Sequence, residues 1–126
     1  IIKKEFYSWL ASIINWGLKC KWFSDKDNAM SNLNQLMIDY NHYYDFWHDF
    51  QTRFPSQVSV LSLEEILEDF NIIIDEQKKL GLIVKNKNFN GYIPEVNMSP
   101  VNRNKIVSRA DVIEKIKDLG LNNNDF

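Results

Sequence analysis

Apolar residues recur at steps of three and four along most of this chain, and that spacing predicts helices. The clearest run goes from Met30 to Phe50. Met30, Leu33, Met37, Tyr40, Tyr44 and Trp47 draw one stripe along a helix of about six turns, and Phe50 closes it. Ser24 to Asp27 offer N-capping oxygens for this helix, expected over Asn28 to Arg53, and Pro55 stops it. An earlier helix is expected over Lys3 to Leu18, with Phe6, Leu10, Ile13 and Ile14 on its apolar face and Trp9 and Trp16 flanking them.

A third helix opens at Ser62. Ser62 and Glu65 have capping-box spacing, and Leu61 and Ile66 have that of a hydrophobic staple. Its first turn is acidic (Glu64, Glu65) and its last is basic (Lys78, Lys79), which complements the helix dipole. Gly81 stands where a left-handed residue ends a helix. The stretch Val58 to Leu61 is expected to be extended. Beyond Leu82 the helical period fails. Asn90-Gly91 is a type I′ turn signal, and it predicts a hairpin of Ile83–Phe89 against Tyr92–Val96, with Pro94 confining the second strand to an edge. A last helix runs from Arg109 to Leu119, capped by Ser108, stapled by Val107 and Val112, and ended by Gly120. The predicted fold is therefore mainly α: a small helical bundle of three to four helices with a short β-hairpin between helices three and four. One domain is expected over 1–126, with a frayed tail at 122–126.

Composition changes this picture little. Of 126 residues 44% are hydrophobic and 13% aromatic, and only four are glycine and three proline, so long helices meet few breakers. Cys20 is the single cysteine, which rules out an internal disulfide and a cysteine-based zinc site. No window approaches 18 uninterrupted apolar residues, so neither a membrane span nor a membrane partner is expected, and a cytoplasmic setting is the simplest. The chain opens on Ile1, which fits a piece of a longer protein.

Charge is strongly partitioned. Residues 1–26 carry a net +3, residues 27–76 a net −9, residues 77–109 a net +6 and residues 110–126 a net −2. The long helices thus present acid, and the hairpin region presents base that either folds over the acidic helices or is offered to phosphate.

Candidate chemistry is thin. Asp45, His48 and Asp49 share helical spacing, but a metal site in a bundle needs ligand pairs from two helices, and His42 is the only other histidine. Glu64, Glu65, Glu68 and Asp69 resemble paired carboxylates, yet capping already accounts for acid in a first turn. Cys20 lies between Lys19 and Lys21 with no histidine near it in sequence. There is no Walker loop and no Gly-x-Ser-x-Gly. No cofactor and no metal site are expected.

Two functions remain. The first is a non-enzymatic protein–protein interaction module: an adaptor, an inhibitor or immunity-type protein, or a subunit domain. It would use the aromatic residues that cannot all face one core, Tyr43 and Phe46, with Asp39 and Asp49 beside them. The second is a nucleic-acid-binding domain of winged-helix shape. It would use the basic hairpin 83–96 with Lys78, Lys79, Lys85, Lys87, Phe89, Tyr92, Arg103 and Lys105. Six carboxylates on the third helix oppose this reading, because a recognition helix faces a polyanion.

Overall fold

A computed structural model describes residues 1–83 and 105–122. Among them the chain is mainly helical, with a two-stranded sheet. The elements are β1 (Ile2–Lys3), α1 (Phe6–Lys19), α2 (Lys26–Ser31), α3 (Leu33–Arg53), β2 (Leu61–Ser62), α4 (Leu63–Glu68), α5 (Asn71–Lys79) and α6 (Arg109–Asp118). They group into two compact units. Unit 1 is Ile1–Glu5 with Tyr43–Val96, and unit 2 is Phe6–His42 with Asn97–Phe126. The division falls inside α3, so its first half belongs to unit 2 and its second half to unit 1.

Unit 2 holds most of the buried side chains. Leu10, Ile14, Leu33, Met37, Val107 and Val112 are almost completely enclosed. Helix α1 packs on α2 and α6. It also meets α3 through rings: Phe6 stands edge-on to Tyr40 at 5.0 Å and Trp9 lies 5.2 Å from it. Among the described residues one polar side chain is buried here, Asn15, and all its hydrogen-bonding capacity is used. Its amide nitrogen donates to the carbonyls of Ala11 (2.8 Å) and Val107 (2.7 Å). Its oxygen accepts from the N–H groups of Ile106 (2.9 Å) and Val107 (3.0 Å). Asn15 therefore ties the irregular segment leading into α6 onto α1 and satisfies backbone groups that burial would otherwise leave unpaired.

The end of α1 is tight. Trp22 N–H reaches the Gly17 carbonyl at 2.8 Å, and Lys21 takes the left-handed position (φ 59°) that a glycine usually fills. Gly17 is needed because a Cβ there would sit 2.5 Å from the Phe23 ring. Helix α6 is capped by a reciprocal box: Asp111 N–H donates to the Ser108 hydroxyl, and Ser108 N–H donates to the Asp111 carboxylate.

Unit 1 is held differently. Tyr44 and Ile66 are its buried hydrophobic residues among those described, and α5 buries none. Polar stitches bind its segments. β1 pairs with β2 in parallel, Ile2 opposite Leu61 and Lys3 opposite Ser62. The Ile1 nitrogen donates to the Ser59 carbonyl at 2.8 Å, Glu5 N–H donates to the Glu64 carboxylate at 3.0 Å, and the Tyr44 hydroxyl donates to the Ile2 carbonyl at 3.3 Å. The Gln51 side chain accepts from Val60 N–H.

Several sequence expectations change. The helix predicted over Asn28 to Arg53 is two helices, interrupted at Asn32, whose side-chain amide turns back to the Asn28 carbonyl at 2.8 Å; Met30 and Leu33 stay buried on both sides of the break. The helix predicted from Ser62 to Gly81 is also two. Asp69 is extended (φ −146°, ψ 100°), and its carboxylate accepts from Asn71 N–H at the start of the second. Only half of the expected Ser62–Glu65 box forms: the Ser62 hydroxyl accepts from Glu65 N–H and donates to the Glu64 carboxylate, with no return bond from Ser62 N–H to the Glu65 side chain; Gly81 is left-handed (φ 75°) as expected. The first helix starts at Phe6, not Lys3, because Ile2 and Lys3 are taken by the small sheet. The last helix ends at Asp118, one residue short of the expected Leu119. The predicted hairpin lies outside the described residues but for Ile83, which is irregular and exposed.

Candidate interaction surface

The second half of α3 carries five aromatic residues in unit 1 besides the buried Tyr44: Tyr43, Phe46, Trp47, Phe50 and, one residue past its end, Phe54. Helical spacing puts them on one band beside the Tyr44 face. Their rings touch in series. Tyr43 and Trp47 are 6.4 Å apart, Phe46 and Trp47 5.2 Å, Trp47 and Phe50 5.9 Å, and Phe50 and Phe54 4.8 Å, mostly edge-to-face. Tyr43 and Phe46 are 52% and 58% exposed, and Phe54 is exposed as well. Such a row is apolar, wet on one side and already ordered by its own ring contacts.

Trp47 was expected in the core. It is half-buried and lines an apolar cavity of about 440 Å³ with Ile2, Val58, Leu61, Ile73 and Leu80. Three segments distant in sequence build that cavity, which is why periodicity along α3 alone missed it. At its polar edge the Ser59 hydroxyl donates to the Glu76 carboxylate at 2.7 Å.

The predicted partner-binding residues separate. Tyr43, Phe46 and Asp49 lie in unit 1, where Asp49 pairs with Arg53 one turn on. Asp39 belongs to unit 2, is exposed and accepts from the Gln35 side chain at 2.8 Å. Of the residues considered for nucleic acid, Lys85, Lys87, Phe89, Tyr92 and Arg103 lie outside the described residues. Lys78 is exposed, Lys79 pairs with Glu76 at 2.8 Å, and Lys105 is exposed in unit 2.

Two of the groups weighed for catalysis, His48 and Glu64, have partners that fit a structural role. The Lys3 ammonium lies 3.4 Å from His48 Nε2, which sets a cation and not a carboxylate against that ring. Glu64 is held by the backbone and by Ser62. Burial alone would raise its pKa, but hydrogen bonds from the Glu5 N–H, its own N–H and the Ser62 hydroxyl outweigh that and bring it below the ordinary carboxylate range. Among the described residues no cluster of three or more histidine, cysteine or carboxylate groups is arranged to hold a metal ion. Cys20 is exposed.

No family model, no curated protein and no solved structure matches the chain.

Proposed function

We propose that the protein is a non-enzymatic protein–protein interaction module, a small helical bundle working inside the cell, and that the aromatic row of α3 is its binding surface. The observation that carries this reading is the exposure of Tyr43 and Phe46 within a ring-to-ring series that Trp47 continues to an apolar cavity. Ordered aromatic side chains lose little conformational entropy on binding and bury large areas, which is why they dominate binding energy at protein interfaces. Within unit 1 the stretch 43–76 carries acid, with Asp45, Asp49 and the carboxylates of α4 and α5 against Arg53 alone. The matching partner is a protein segment that offers aliphatic or aromatic anchors flanked by lysine or arginine.

The test is selection from a displayed random-peptide library on the wild-type protein and on Tyr43→Ser/Phe46→Ser. Enriched peptides with apolar anchors and basic flanks, lost on the double variant, are expected. Peptides that bind both proteins equally, or no enrichment, would overturn the assignment of this surface.

A further inference from the structure

A second apolar surface lies in unit 2 and has the opposite charge. At the end of α1, Trp16 is 43% exposed and Trp22 61% exposed. Ile106, fixed to the same end of the helix by its N–H bond to Asn15 (2.9 Å), is 58% exposed. Lys19, Lys21 and Lys105 neighbour them in the chain and are exposed. None of the three lysines is in an ion pair among the described residues, whereas Lys26, Arg53 and Lys79 each have a carboxylate partner. Lys19 instead lies over the Trp16 ring at 5.8 Å.

The cluster is rigidly built. Trp22 is anchored by its N–H bond to Gly17, and its ring lies so close to Gly17 that a Cβ there would be 3.3 Å away. Lys21, next to Trp22 in the chain, is held in the left-handed turn (φ 59°) that ends α1. Two amphipathic indoles and two unpaired lysines within about two turns, with Lys105 and the exposed Ile106 on the segment tied to Asn15, have the composition that seats a protein at the headgroup level of a charged bilayer. Nucleic acid would use the cations and rings but not Ile106. Among the described residues no helix is long and apolar enough to cross a membrane, so the contact concerns the surface only.

We infer that the Trp16–Trp22 end of α1, with Lys105 and Ile106, is a docking site for an anionic lipid surface. The indoles and Ile106 enter the interface, and Lys19, Lys21 and Lys105 meet the lipid phosphates and carboxylates. The inference is independent of the aromatic row on α3.

The experiment is vesicle flotation of the full chain at low salt, with phosphatidylcholine alone and with phosphatidylserine added. Binding to the anionic vesicles only is expected, with quenching of tryptophan emission by brominated lipid. Each lysine contributes about fivefold, so Lys19→Gln/Lys21→Gln/Lys105→Gln weakens binding on the order of a hundredfold. Trp22→Phe, which keeps a ring against Gly17, reduces the quenching, and Phe46→Ala leaves binding unchanged. Three outcomes would overturn the inference. One is no preference for anionic vesicles. Another is unaltered binding by the lysine variant while its melting curve matches wild type. The third is that the same lysine variant abolishes tighter binding to a single-stranded oligonucleotide, or self-association in sedimentation, instead.

Discussion

The two units use similar side chains to different ends. Unit 2 encloses a packed core: Leu10, Ile14, Leu33, Met37, Val107 and Val112 all lie in its interior. Unit 1 leaves eight large hydrophobic residues exposed, against four in unit 2, while Tyr44 and Ile66 are the ones it buries among the described residues. It holds its shape with a short parallel sheet and single hydrogen bonds between segments. A unit that exposes an ordered aromatic row and is stitched by polar contacts is suited to receive a partner; a unit with a packed core and a fully satisfied buried amide is suited to supply stability.

The largest way to break this contrast is at Asn15. Asn15→Leu strands two N–H groups and a carbonyl, and it is expected to cost about 3 kcal/mol or more in urea unfolding. Leu33→Ala should follow, with a loss of about 3 kcal/mol from the cavity it leaves, whereas Leu67→Ala on the exposed side of α4 should stay within about 0.5 kcal/mol. Gly17→Ala forces the Phe23 ring aside and should cost about 1–3 kcal/mol. Lys21→Gly removes the penalty of a left-handed lysine and should raise stability by about 1 kcal/mol, read as a higher melting temperature.

The pH dependence sharpens the contrast further. Asp111 is below its ordinary pKa because of the Ser108 N–H, the Ser108 hydroxyl and Lys26, and Glu64 is low for the reasons given above. A carboxylate with a lowered folded pKa contributes stability that is complete above the unfolded value and lost as pH falls through the folded one. Unfolding titrations should therefore show stability falling below about pH 4. Asp111→Asn should blunt that fall through unit 2 and Glu64→Gln through unit 1.

Helix type and the main core stripe were legible in the sequence. Met30, Leu33, Met37, Tyr40 and Tyr44 are buried at the predicted spacing, and the Ser62, Ser108, Gly81 and Gly120 ends behave as their chemistry requires. The breaks at Asn32 and Asp69 were not legible. Both depend on side-chain amide or carboxylate bonds back to the local backbone, which compete with the helix without disturbing its apolar period. The role of Asn15 was not legible either, because its partners lie at Ile106 and Val107, about ninety positions away. The exposure of Tyr43 and Phe46 could be read from crowding on α3. The placing of Trp47 could not, since the cavity wall comes from β1, β2 and α5.

The most direct measurement is the unfolding free energy of Tyr43→Ser/Phe46→Ser beside that of Leu33→Ala. If the aromatic row is a surface kept for a partner, the double variant changes stability by less than about 1 kcal/mol per residue. A loss of about 3 kcal/mol per residue, equal to that of Leu33→Ala, would place Tyr43 and Phe46 in the core and contradict the account.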